Sequence, residues 1–134
     1  MIFFDTGAWV ALAVSGDRNA PRARSLYSEV SRGKHGAIVT TNFVLDEAAT
    51  LVRMAVDVPT AVRLVNTVLQ APSVTVVWID PSHFEAALAI LGRHDDKRWS
   101  FTDCTSFAVM HDLGIQEGFS FDRNFAEAGF TRLP

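Results

Sequence analysis

The sequence predicts an α/β sandwich, a parallel β-sheet covered on both faces by helices. Short apolar runs rich in β-branched or aromatic residues alternate along the chain with longer amphipathic stretches, the pattern of strand–helix–strand crossovers. The apolar fraction of 49% and charged fraction of 20% are those of an ordinary globular protein. A chain of 134 residues can bury most of its apolar surface around one core, so a single domain over residues 1–134 is expected.

The first strand is read at Ile2–Phe4, three apolar residues ended by Asp5, and a helix follows at Ala8–Val14. A second helix is placed at Pro21–Ser31 and a strand at Ala37–Val39. Helical periodicity returns at Asn42–Ala55 and at Thr60–Leu69, where Pro59 suits a helix start. The run Val74–Ile79 reads as a buried strand, followed after Pro81 by a helix over Ser82–Gly92. Asp103–Leu113 is helical, capped by Thr102 or Ser100 and stopped at Gly114. Gly118–Phe121 is a fourth strand, and Asp122 opens a short segment over Arg123–Ala128. A last strand is placed at Phe130–Leu133.

Several classes are disfavoured. One cysteine, Cys104, forms no internal disulfide, and no Cys/His cluster has zinc spacing. The N-terminus lacks a basic signal-peptide start and Ala8–Val14 is too short to span a bilayer, so no membrane association and a cytoplasmic location are expected. The net charge of −3 does not by itself suggest a nucleic-acid binder, yet the cations are clustered, with Arg18, Arg22 and Arg24 in one group and Arg93, Lys97 and Arg98 in another. The four histidines, His35, His83, His94 and His111, are scattered without a motif.

In an open parallel sheet, ligands bind beyond the carboxyl ends of the strands, where the strand order reverses. Residues that follow strands therefore converge. Asp5 follows the first strand and Asp122 the fourth, while Asp103 lies in the first turn of a helix. Each has a structural explanation as a cap or a partner of the helix dipole. Asp5-Thr6-Gly7 also occurs in aspartic proteases, which need an all-β fold and a second such loop. Glu47 is harder to explain as a surface residue: it lies in helical line with Phe43, Leu51 and Met54, whereas Asp46 shares a polar face with Asn42, Thr50 and Arg53. An inward carboxylate with no cation on its helix face needs a bound cation or hydrogen-bond donors. Two carboxylates about 4 Å apart repel by about 4 kcal/mol at an effective dielectric near 20, so a converging set calls for a divalent cation. With oxygen ligands alone, that ion is Mg²⁺ or Mn²⁺, and a carboxylate-held ion with open positions suits phosphodiester hydrolysis.

The same residues carry a resemblance. Phe3-Phe4-Asp5-Thr6-Gly7-Ala8-Trp9 resembles the opening strand and helix of PIN domains, and Thr41-Asn42-Phe43-Val44-Leu45-Asp46-Glu47 their glutamate-bearing helix. Ser100-Phe101-Thr102-Asp103-Cys104 and Phe119-Ser120-Phe121-Asp122-Arg123-Asn124 are similar to the third and fourth acidic motifs. The match covers nearly the whole chain in the right order. It implies a PIN-like three-layer sandwich with a five-stranded parallel sheet, and an Mg²⁺-dependent endoribonuclease site formed by Asp5, Glu47, Asp103 and Asp122, with Asp5, Asp103 and Asp122 as metal ligands. At this size the chain looks like the VapC-type toxins of toxin–antitoxin pairs. That implies an RNA substrate, a small antitoxin partner and a homodimer. Gly7 departs from the serine of many relatives but removes no carboxylate.

Four further residues are candidates for substrate contact. Thr6 and Thr102 could hydrogen-bond the carboxylates or a phosphate, although both also suit caps and turns. Lys97 and Arg98 could take phosphates with Trp99 stacking on a base, the simpler alternative being a solvated loop anchored by Trp99. Two rivals are a non-catalytic PIN-like binding module and a phosphoacceptor domain using Asp80 after the third strand.

Overall fold

The computed structural model describes residues 1–134 and contains five strands and seven helices. In chain order these are β1 (Ile2–Phe4), α1 (Thr6–Ala13), α2 (Ala20–Ser31), β2 (Ile38–Thr41), α3 (Asn42–Ala55), α4 (Val58–Gln70), β3 (Val74–Val77), α5 (Pro81–Arg93), α6 (Phe101–Leu113), β4 (Glu117–Phe119), α7 (Asn124–Glu127) and β5 (Thr131–Leu133). The strands form one parallel sheet in the order β3-β2-β1-β4-β5. The α/β class with a five-stranded parallel sheet and flanking helices is as expected.

β1 is the central strand, and all three of its residues are fully buried. Its apolar run is what a strand covered on both faces requires. From β1 the chain goes first to one side of the sheet, through β2 and β3, and later returns to the other, through β4 and β5. The order therefore reverses between β1 and β4, and the crevice beyond their carboxyl ends is the natural binding position. Asp5 and Ser120 are the residues that leave those two strands.

Element boundaries moved where side chains compete with backbone. β3 stops at Val77 rather than Ile79 because the Ile79 N–H donates to the Asn42 side-chain oxygen, 2.8 Å away. The fourth strand stops at Phe119 because the chain turns at once, with the Asp122 N–H donating to Ser120 Oγ at 3.0 Å. Helix α6 begins at Phe101, capped by Ser100 and not by Thr102. Pro59 and Pro81 fall in the first turns of α4 and α5, and Gly114 ends α6 at φ 67°.

In α6, residues Cys104–Met110 form an unbroken buried run, so this helix is enclosed on every side and its sequence carries little amphipathic signal. Its Phe107 ring meets Trp99, Phe125 and Phe130 at centroid separations of 5.1, 5.1 and 5.6 Å. Across α1, Trp9 Nε1 donates to Thr40 Oγ1 at 3.1 Å, and that hydroxyl donates to the Phe4 carbonyl at 2.9 Å. This relay fixes the end of β1 against β2 and the first turns of α1.

On β4, a Cβ added to Gly118 would lie 2.8 Å from the buried ring of Phe125. Gly118→Ala is therefore expected to destabilise the fold by about 1–3 kcal/mol through overpacking. Urea unfolding should show a lower midpoint with an unchanged slope, and Gly118→Ala/Phe125→Leu should recover part of the loss.

Candidate active site

Asp5, Glu47, Asp103 and Asp122 line one open pocket of about 850 Å³, together with Thr6, Gly7, Arg98, Arg123, Asn124 and Arg132. The structure thus brings together four acids separated by as many as 117 positions in the chain. Each reaches the pocket by a different local route.

Asp5 sits at the end of β1 with its backbone still extended and its N–H donating to the Phe119 carbonyl at 3.1 Å. It stands at the N-cap position of α1 but makes no side-chain cap, so its carboxylate is free for other partners. One partner is Ser120, whose hydroxyl donates to Asp5 Oδ2 at 2.8 Å. Asp5 is only 7% exposed. Burial pushes its carboxyl up from 3.8 to about 7, and the charges of Asp103 and Glu47 add to the rise against the lowering hydrogen bonds of Ser120 and the Thr6 amide.

Asp103 is the third residue of α6 and completes a capping box: Ser100 Oγ accepts from the Asp103 N–H, and Asp103 Oδ2 accepts from the Ser100 N–H, both at 3.0 Å. The same Oδ2 accepts from Asn124 Nδ2 at 2.9 Å. Burial again raises its pKa, opposed by the Ser100 and Asn124 hydrogen bonds and supported by the charges of Asp122 and Glu47. Asp122 is exposed, and its Oδ1 accepts from the Asn124 N–H at 3.0 Å while Oδ2 accepts from Asn124 Nδ2 at 3.1 Å. It therefore shapes the turn before α7 rather than capping the helix by the usual rule.

Glu47 is half-buried and Asp46 exposed. The apolar stripe assigned to Glu47 needs correction, because Leu51 is 47% and Met54 78% exposed. The core face of α3 is instead Val44, Leu45, Ala48 and Val52, adjacent to the Glu47 stripe on the helix. Glu47 faces the acidic pocket, beside Leu51, and not the core.

The other candidates divide. Thr6 is buried in the pocket wall, and its hydroxyl has no hydrogen-bond partner. Arg98 also lines the pocket, but Lys97 lines a different one and Thr102 lines neither. The Thr102 carbonyl accepts the hydroxyls of Thr105 and Ser106 at 2.7 and 3.1 Å within α6. Trp99 is 8% exposed and packs on Phe107, so it anchors the loop and is not a free stacking surface. Asp80 caps α5 by accepting from the His83 N–H at 2.8 Å and lies outside the acidic pocket, which removes the support for a phosphoacceptor role.

Ser120, Asn124, Arg123 and Arg132 were missed. Ser120 ties Asp5 to the Asp122 turn, and Asn124 ties Asp103 to Asp122. A polar residue inside the apolar run Gly118–Phe121 and the Asp122-Arg123-Asn124 triplet were the available signals. Arg132 comes from β5 and donates to the Phe121 carbonyl at 3.3 Å, a placement that only the topology reveals.

None of the four acids joins an ion pair, even though three arginines share their pocket. The site thus holds an uncompensated carboxylate group whose two most buried members resist ionisation. Such a donor set, all hard oxygen with an orphaned hydroxyl beside it, fits a divalent cation. No three Asp, Glu, His or Cys side chains gather at ligand spacing, and Asn124 Nδ2 bridges Asp103 and Asp122 by hydrogen bonds. An ion bound through one or two carboxylates, with water and phosphate completing its shell, matches that arrangement; Mg²⁺ commonly binds in this way.

The fold and this acid-lined crevice place the molecule among the PIN domains. The chain belongs to the PIN domain family, whose profile matches residues 2–131. It is 38% identical over 138 residues to the 23S rRNA-specific endonuclease VapC20 of Mycobacterium tuberculosis strains CDC 1551/Oshkosh and ATCC 25618/H37Rv, an alignment spanning 99% of this chain and 98% of the relative. The crystal structure of Mycobacterium tuberculosis VapC20, described as a Sarcin-Ricin loop cleaving toxin, matches with a TM-score of 0.91 at 35% identity, over 98% of this chain and 97% of that one. No helix of the present structure is long and apolar enough to cross a membrane.

The raised pKa of Asp5 has a consequence for stability. The folded state holds the Asp5 proton more tightly than the unfolded chain, so Asp5 is neutral to stability below about pH 4, destabilises increasingly from about pH 4 to about 7, and carries its full penalty above that. In metal-free buffer at pH 8, Asp5→Asn should therefore be more stable than the wild type, by up to about 4 kcal/mol. The advantage should disappear near pH 4, and thermal melts at the two pH values in EDTA test it.

Proposed function

We propose that this chain is an Mg²⁺-dependent endoribonuclease and the toxin of a toxin–antitoxin pair, acting on 23S rRNA as its relative does. The observation that carries the reading is the convergence of Asp5, Glu47, Asp103 and Asp122 on one pocket at the switch between β1 and β4, with no cation of the protein pairing them. Full-length similarity to a named rRNA endonuclease supports the substrate class. Its partners are then the RNA, a small antitoxin and a second copy of the chain, in the cytoplasm.

In this reading Asp5 and Asp103 would hold the ion, and Asp122 and Glu47 would orient water and phosphate beside it. The chemistry a bound Mg²⁺ would supply there is a lowered pKa for an attacking water and stabilisation of charge on the phosphoryl oxygens. The protein's own part is positioning. Ser120 fixes one oxygen of Asp5, and the Ser100 amide with Asn124 fixes one oxygen of Asp103, leaving the remaining oxygens for the pocket. The unpartnered Thr6 hydroxyl can donate to a phosphate oxygen at the same place. Arg98 and Arg132 supply positive charge at the wall, which favours the phosphodiester in an otherwise repulsive acidic crevice.

Purified protein should cut 23S rRNA in Mg²⁺ and stop in EDTA, read by primer extension across the RNA. Asp103→Asn should reduce the cleavage rate by about 100-fold or more, since an ion ligand is lost. Undiminished cleavage by that variant would reject the mechanism. A second check uses heat alone: Mn²⁺ at pH 8 should raise the melting temperature of the wild type and leave that of Asp5→Asn nearly unchanged.

A further inference from the structure

A second cavity, about 510 Å³ in volume, lies between α5, α6 and α7 and plays no part in the acidic site. Arg93, Lys97 and His111 stand at its exposed rim, and Trp99 and Phe107 form its floor. Neither Arg93 nor Lys97 forms an ion pair, and no acidic residue lines the cavity except Glu127. Glu127 is already engaged, pairing with Arg123 at 3.2 Å and accepting from Trp99 Nε1 at 3.4 Å. Arg93 and Lys97 are thus two exposed cations without ion-pair partners on the lining of one concavity, while Asp95 and Asp96, on the loop between them, lie outside that lining.

The cavity adjoins the acidic pocket. Consecutive residues Lys97 and Arg98 face the two sides, Lys97 the cavity and Arg98 the pocket. Ala126 and Glu127 divide in the same way, and the Arg123–Glu127 ion pair spans the ridge. A polyanion lying in the acidic pocket needs only to cross this ridge to meet Arg93 and Lys97.

We propose that this cavity is a secondary phosphate-binding site for the RNA strand, gripping a phosphate beyond the scissile one. The inference rests on the endoribonuclease reading for its ligand and deepens it by naming where the strand continues. Cations here strengthen binding and leave the chemical step alone, because they contact no reacting atom. An acidic protein segment is the competing occupant. RNA is favoured because the cavity continues the crevice in which a phosphodiester would lie.

The test compares wild type with Arg93→Ala and with Arg93→Glu, all carrying Asp103→Asn so that RNA stays intact. Binding of a fluorescein-labelled hairpin of about 30 nucleotides from 23S rRNA is followed by anisotropy over a salt series. Arg93→Ala should weaken binding by about 3- to 10-fold at moderate salt and reduce the log–log salt slope by about 1. Arg93→Glu should weaken it further. In the cleavage-competent background, Arg93→Ala should raise KM for the hairpin without changing kcat, and should cut a tetranucleotide as the wild type does. Equal hairpin affinity and slope in all three proteins would overturn the proposal. So would a loss of tetranucleotide cleavage, or Arg93-dependent binding of polyglutamate with RNA binding unaffected. Because the binding arm needs no cleavage, failure of the endoribonuclease reading would show separately, as wild-type protein that leaves the hairpin uncut.

Discussion

The rest of the site depends on one buried carboxylate that has no cation of its own. Asp5 emerges from the most enclosed strand of the sheet, and the surrounding structure gives it a serine hydroxyl and a backbone amide but no positive charge. A protein selected for stability alone would place an arginine or a neutral side chain there, since an unpaired buried charge is among the more expensive features a fold can carry. The neighbours compound the expense, for Asp103 and Glu47 both raise the energy of the ionised state. An arrangement this unfavourable by itself is what a fold retains when the acids serve a ligand rather than stability, and in the reading proposed above that ligand would be a divalent ion.

Around that carboxylate the fold supplies rigidity. The relay from Trp9 through Thr40 to the Phe4 carbonyl fixes the strand just before Asp5. Ser120 and Asn124 connect residues from β1, α6 and the turn before α7 by direct hydrogen bonds. These are short polar side chains with few rotamers to lose, and they hold the acids close without neutralising them. The arginines stand on the same wall yet form no ion pair with the acids, so neither set of charges neutralises the other.

Much of this was legible in the sequence. The five strands and the parallel α/β arrangement follow from apolar runs bounded by turn residues, and Asp5 and Asp122 could be placed at one edge because both follow strands that proved to be neighbours. Boundaries were lost where a side chain replaced a backbone partner, as Asn42 does for Ile79. The face of α3 was misjudged because Leu51 and Met54 are apolar but exposed, and periodicity counts composition without knowing which stripe meets the core. Ser120 and Asn124 were not legible as site residues, since their importance lies in whom they touch across the fold. Lys97 and Arg98 looked equivalent in sequence, yet backbone direction sends them to opposite sides of a ridge.

The parallel sheet has a bearing on the order in which the protein is made. β4 joins β1 and β5, so the strand that completes the crevice is translated long after the one that carries Asp5. Ser120, Asp122 and Asn124 are all synthesised at least 115 positions after Asp5. A nascent chain therefore cannot assemble the acidic crevice before the segment around β4 has been made. Until that late segment docks, the crevice beyond β1 has only one of its walls, and a partly made chain presents Asp5 without the hydroxyl that orients it.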